Sequence, residues 1–198
     1  MPMTWTVPNI LTVMRLLAAP MLAVMFLYFD RLYADWFALI LFISAAITDY
    51  IDGYLAREWK QETKLGAMLD PIADKAMVVI ALMVIVGYSS MSPWLVLPAT
   101  VILFREVFVS GLREFLGDVA GTLKVTNLAK WKTTAQMVAI SVLFAHGVFE
   151  HYFGMQAYIT VWAGHAGMWL LWLAALLTLL SGADYLAKAM PHLKEGER

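Results

Sequence analysis

Four aspartates carry the most chemistry in this chain: Asp49, Asp52, Asp70 and Asp74, all within 26 residues. Asp49 and Asp52 stand at i, i+3 and Asp70 and Asp74 at i, i+4, so each pair shares one face of a helix. Both pairs lie at the ends of long apolar runs. Charge at membrane depth is costly and is rarely kept without a role. A helical hairpin would bring the two pairs opposite each other. Four converging carboxylates repel, and some protonate, unless a cation offsets them. An all-oxygen ligand set favours Mg²⁺, Mn²⁺ or Ca²⁺ over zinc. Gly53 and Ala56 continue the first face and Gly66 opens the second, and such small residues let a substrate approach the backbone. With Arg57 alongside, the set suits a metal-bound diphosphate. The plainer reading is structural: an intramembrane acid often pairs with a cation, and Arg57, Lys64 and Lys75 are at hand. Ion pairing explains any one of the acids better than it explains four in this order among small residues.

The elements that must position these acids are membrane helices. Of the 198 residues, 62% are hydrophobic and 15% charged, against roughly 45–50% and 25% in a soluble domain. The apolar residues come in runs approaching the roughly 20 needed to cross a bilayer core. Hydropathy predicts an all-α chain with six spans, at about 7–28, 36–55, 67–88, 94–115, 131–147 and 168–186. It forms one membrane domain over 1–198, with no room for a large soluble one. Residues 152–167 read as an interfacial helix or as a lengthening of the last span. Ser89, Ser90, Ser92 and Pro93 separate the third and fourth spans, and His146 to His151 separate the fifth from the next run. The first run holds Arg15 and lacks a small-residue cleavage site, so it reads as a retained span rather than a signal peptide. With the N-terminus inside, Arg57, Lys60, Lys64, Lys124, Lys130, Lys188, Lys194 and Arg198 all fall on the inner side, and Arg31 is the cation of the outer loops. That asymmetry predicts N-in and C-in, with the aspartates at the cytoplasmic edge. The absence of cysteine excludes disulfides and thiolate chemistry. The four histidines, at 146, 151, 165 and 192, have no metal-ligand spacing.

The run Asp49-x2-Asp52-Gly53-x2-Ala56-Arg57-x8-Gly66-x3-Asp70-x3-Asp74 resembles the signature of the CDP-alcohol phosphatidyltransferase family at all eight positions. The resemblance implies a phosphatidyl transfer from a CDP-lipid, CDP-diacylglycerol, to an alcohol. It implies Asp49, Asp52 and Asp70 as metal ligands and Asp74 as general base and further ligand, with Mg²⁺ or Mn²⁺, two ions, as cofactor. Gly53, Ala56, Arg57 and Gly66 would line the CDP-lipid site, with Thr63 nearby. The segment Pro8-Asn9-x-Leu11-Thr12-x-x-Arg15 is also similar to the family, and it implies Thr12 and Arg15 as further CDP-lipid contacts. Otherwise the segment reads as a helix entry with a snorkelling arginine. The family further implies a homodimer in the inner, cytoplasmic membrane of a bacterium.

The acceptor is addressed by the second half. Arg105-Glu106-x3-Ser110-Gly111-x-Arg113-Glu114 and Lys130-x-Lys132-Thr133-Thr134-x-Gln136 resemble the bacterial phosphatidylglycerophosphate synthase branch, which implies sn-glycerol 3-phosphate. Arg105, Arg113, Lys130 and Lys132 would grip its phosphate, a task suited to arginine and lysine. Glu106 and Arg113, at i, i+7, are candidates for a mutual pair, and Glu106 is not expected to face Arg105. The plain alternative for Lys130 and Lys132 is positive-inside anchoring. A basic acceptor site argues against neutral alcohols but leaves inositol phosphate open. A small cation transporter is the rival from another class, although its acids would be expected near the midplane. An intramembrane aspartyl protease would need two acids rather than four.

Overall fold

The computed structural model describes residues 6–59, 63–117 and 127–195, with side-chain positions for all of these except 8, 49–59, 64, 67, 127–130, 194 and 195. Among them are six helices: α1 Val7–Tyr28, α2 Arg31–Trp59, α3 Lys64–Tyr88, α4 Pro93–Leu116, α5 Asn127–Phe153 and α6 Tyr158–Glu195. The all-α expectation holds. Four stretches are long and apolar enough to cross a membrane: Asn9–Tyr28, Arg31–Thr48, Pro93–Leu116 and Tyr158–Leu193.

Local chemistry sets most helix ends. α1 and α4 each open with a proline in the first turn, where the missing N–H is not needed. Thr63 caps α3, its Oγ1 accepting from the Gly66 N–H at 3.0 Å. Two positive-φ residues, Ser90 and Met91, make the tight turn into α4. Two boundaries differ from expectation, and a third settles an open alternative. α5 runs through His146–His151 and stops only at Gly154, whose φ of 84° is readily adopted by glycine alone. Polar residues by themselves do not end a helix whose backbone bonds are intact. Residues 158–167 belong to α6, so the last span is lengthened and no separate interfacial helix precedes it. α2 likewise starts at Arg31, ahead of the span expected from position 36.

α5 packs most extensively on α6 and α1 on α3, with α4 against α6, α2 against α5 and α1 against α2. The contacts are rich in small side chains, with Ala19, Ala34, Ala38, Ala45, Ala81, Ala139 and Ala174 all buried. Lipid offers no hydrophobic drive between helices, so close van der Waals approach through small residues does the holding. Phe144 fills the middle, with ring centroids 5.6 Å from Phe26 and 5.8 Å from Phe42. Large apolar side chains such as Leu17, Ile40, Phe104 and Val107 point outward, as a bilayer-facing surface requires.

The end of the bundle remote from the aspartates is tied by one polar knot. Arg31 lies 4.4 Å from the Tyr88 ring centroid, and its Nε donates to Asp35 Oδ2 at 2.8 Å. The Tyr88 hydroxyl donates to the Phe26 carbonyl at 2.5 Å. Asp35 is fully buried, directly against Gly147. These links join α1, α2, α3 and α5, so the opposite ends of the same helices are held in register around the acids.

Candidate active site

A cleft of about 370 Å³ opens between α1, α2, α3, α4 and α5. It is lined by Arg15, Ala45, Ala46, Pro71, Asp74, Lys75, Glu106, Lys132, Thr133, Thr134 and Gln136, among others. Its size lies in the range of small-molecule sites, and its mixed polar and apolar walls suit an amphipathic ligand.

α3 carries Asp70 and Asp74 one turn apart, with side chains 50% and 46% exposed, and Asp74 lines the cleft. α1 supplies the groups that face them. Thr12 donates its hydroxyl to Asp70 Oδ1. Arg15 places Nη1 3.1 Å from Asp74 Oδ1 and Nη2 3.7 Å from Asp70 Oδ1. Thr12 and Arg15, expected beside the CDP-lipid, are therefore also the groups that orient two of the four acids. Both are buried, which a merely snorkelling arginine would not be.

The approach of α1 to α3 depends on Gly66. A Cβ there would lie 2.6 Å from Asn9 Oδ1 and 3.2 Å from Thr63 Oγ1. Thr63 donates to Asn9 Oδ1 at 2.8 Å while capping α3. Gly66 and Thr63 thus build the wall that presents the acids. Asn9 completes that wall, and only its place in the segment from Pro8 to Arg15 hinted at it. Asp49, Asp52, Gly53, Ala56 and Arg57 follow on α2, but their side chains lie outside the described residues. Helix register sets position 49 one turn beyond Ala45, and Ala45 lines the cleft.

The α4 and α5 walls meet through a buried ionic group. Glu106 Oε1 pairs with Lys132 Nζ, and it lies 3.5 Å from Arg105 Nη1. Arg105 Nη2 also donates to Ser181 Oγ at 3.4 Å, and its stem packs on Gly182. Two expectations are corrected here. Glu106 does face Arg105, because the long arginine side chain bends back to its neighbour. Glu106 does not pair with Arg113. Seven residues along a helix is a rise of about 10 Å, whereas the crossing of α5 brings Lys132 into contact. Arg113 instead lies 5.1 Å from the Tyr185 ring centroid. Lys132 is buried in the cleft wall and is not a surface anchor. Of the four cations expected at an acceptor phosphate, Lys132 lines the cleft and Arg105 stands behind it through Glu106. Arg113 does not line the cleft, and the side chain of Lys130 lies outside the described residues.

Among the described residues no three His, Asp or Glu side chains converge on a metal position, and two of the four aspartates fall outside that set. The donors that are described fit a hard divalent cation: two half-exposed carboxylates on one helix face, oxygen ligands throughout.

The family model for CDP-alcohol phosphatidyltransferase matches residues 5–180. The chain belongs to the CDP-alcohol phosphatidyltransferase family. A curated relative from Cereibacter sphaeroides, a CDP-diacylglycerol–glycerol-3-phosphate 3-phosphatidyltransferase, is 60% identical over 98% of this chain and 99% of its own length. Relatives of the same name are 39% identical in Salmonella choleraesuis, over 94% of this chain and 96% of theirs, and 37% identical in Escherichia coli K12, over 96% and 98%. Every part of the cleft lies inside the matched region.

Proposed function

We propose that this chain is a multi-pass enzyme of the bacterial inner membrane. It transfers the phosphatidyl group of CDP-diacylglycerol to sn-glycerol 3-phosphate, releasing CMP and forming phosphatidylglycerophosphate. The observation that carries the reading is the cleft itself. One space is walled by Asp74 with Arg15 and by the Lys132–Glu106 group, the two charge environments that a diphosphate donor and an anionic acceptor require. The names of the full-length relatives support the same substrates.

In this mechanism Asp74 accepts the proton of the acceptor hydroxyl. The hydroxyl oxygen forms a bond to the lipid-side phosphorus, and the bond from that phosphorus to the CMP oxygen breaks. Arg15 steadies Asp74 and Asp70 and offers its guanidinium to the diphosphate. Thr12 fixes the orientation of Asp70. Asp49, Asp52, Asp70 and Asp74 would hold two Mg²⁺ or Mn²⁺ ions, which would neutralise charge on the donor diphosphate and on the departing CMP. Gly53, Ala56 and Arg57 would receive the CDP-lipid, and Lys130 and Lys132 the acceptor phosphate. Six spans in an N-in, C-in arrangement put this site at the cytoplasmic edge, where acyl chains stay in lipid and the nucleotide reaches water. The protein acts as a homodimer.

The test is CMP release from CDP-diacylglycerol by detergent-purified protein, offered glycerol 3-phosphate, inositol phosphate, serine or no acceptor. Release with glycerol 3-phosphate alone, lost with EDTA and with Asp74→Asn, is expected. Release with a different alcohol would overturn the acceptor while keeping the aspartate chemistry. No release with any of them, from folded protein with Mg²⁺, would overturn both and favour cation transport.

A further inference from the structure

Lys75 follows Asp74 on α3 and lines the same cleft. The cations around it are committed elsewhere. Arg15 serves Asp70 and Asp74, Lys132 and Arg105 share Glu106, and Arg113 lies over Tyr185. Lys75 differs. Among the described residues its one polar partner is neutral: Nζ donates to Ser110 Oγ at 2.5 Å, and Ser110 donates onward to the Glu106 carbonyl at 2.6 Å. An ammonium has three donors, so two stay available on the cleft side. A half-buried cation without a carboxylate partner is costly to keep between apolar helices. Consecutive helical residues diverge by about 100°, so Lys75 and Asp74 flank the cleft instead of pairing across it. Lys132 faces the same space from α5. An anionic group in that space would answer Lys75, with Lys132 across from it and the acid that takes the proton beside it.

We propose that Lys75 binds the phosphate of the acceptor alcohol and thereby selects anionic acceptors over neutral ones. The inference rests on the glycerol 3-phosphate reading above and adds to it a residue with no part in the aspartate signature.

The experiment measures KM separately for sn-glycerol 3-phosphate and for CDP-diacylglycerol, in full-length protein with Mg²⁺. Lys75→Met is expected to raise the KM for glycerol 3-phosphate about tenfold or more, and to leave that for CDP-diacylglycerol within about twofold. Lys75→Arg restores part of the loss. Ser110→Ala keeps the cation and stays within about threefold of the wild type. The proposal is overturned if Ser110→Ala matches Lys75→Met, which would make Lys75 a structural donor to Ser110. It is also overturned if the CDP-diacylglycerol KM rises instead, or if neither KM moves. Should Lys75→Met not fold, amine acetylation of wild-type protein decides, read by mass spectrometry. Glycerol 3-phosphate protects Lys75 and glycerol does not, and equal labelling overturns the proposal. Wild-type protein inactive with glycerol 3-phosphate would refute the acceptor reading; normal wild-type turnover with an unaffected Lys75→Met refutes the lysine alone.

Discussion

Replacing Glu106 with glutamine isolates the energetics of the inner cleft wall. The side chains of Lys132, Arg105 and Glu106 are 8%, 11% and 13% exposed. Removing one partner from a buried ionic group costs about 3–5 kcal/mol, because the remaining charges are left without compensation. The cleft opens beside Glu106, so the lower end, about 3 kcal/mol, applies. For a chain of this length each kcal/mol moves Tm by about 2–4 °C, so Glu106→Gln is expected to lower Tm by about 6–12 °C. The comparison is Asp184→Asn, which removes the Lys188–Asp184 pair. Those side chains are both 36% exposed and 2.7 Å apart, four residues apart along α6. Such a pair contributes about 0.3–0.5 kcal/mol, or about 1–2 °C. Thermal unfolding in detergent, followed by tryptophan fluorescence, reads both variants. Equal shifts for the two would refute the claim that burial, rather than proximity of charges, sets the strength of the Glu106 group.

The other perturbations address packing and the acid set. Gly147→Ala puts a methyl group against the buried Asp35 carboxyl, within 2.5 Å of its Cγ. Overpacking of about 1–3 kcal/mol should show as a lower Tm, with KM for both substrates unchanged in the protein that folds. Thr12→Val removes the donor to Asp70 while keeping side-chain shape. A hydrogen bond to a charged group contributes about 1.5–3 kcal/mol, so kcat/KM should fall about tenfold to a hundredfold, and an unchanged value would remove Thr12 from the site.

Much of the site could be read from the chain because helix periodicity is local. The i, i+4 spacing of Asp70 and Asp74 placed them on one face, and the structure has them sharing Arg15. The all-helical class followed from run length and composition. What failed depended on how helices cross. Nothing local shows that Lys132 meets Glu106, a contact made by the crossing of α5 over α4. Glu106 and Arg113 share a face of α4, but separation along the axis keeps them apart. The stretch from His146 to His151 looked like a break, but a helix stops where the backbone is redirected, at Gly154. The fit of Gly147 against Asp35 joins residues more than a hundred positions apart, and nothing local signals it.

The central claim is a transfer, not a hydrolysis or a transport event, and the direct measurement follows the acceptor. Radiolabelled sn-glycerol 3-phosphate is incubated with CDP-diacylglycerol, Mg²⁺ and the purified protein, and label in the organic phase is compared with CMP released. One labelled lipid is expected per CMP, with both signals absent in Asp74→Asn protein whose Tm matches the wild type. CMP released without label in lipid, or label entering lipid at an undiminished rate in Asp74→Asn, would contradict it.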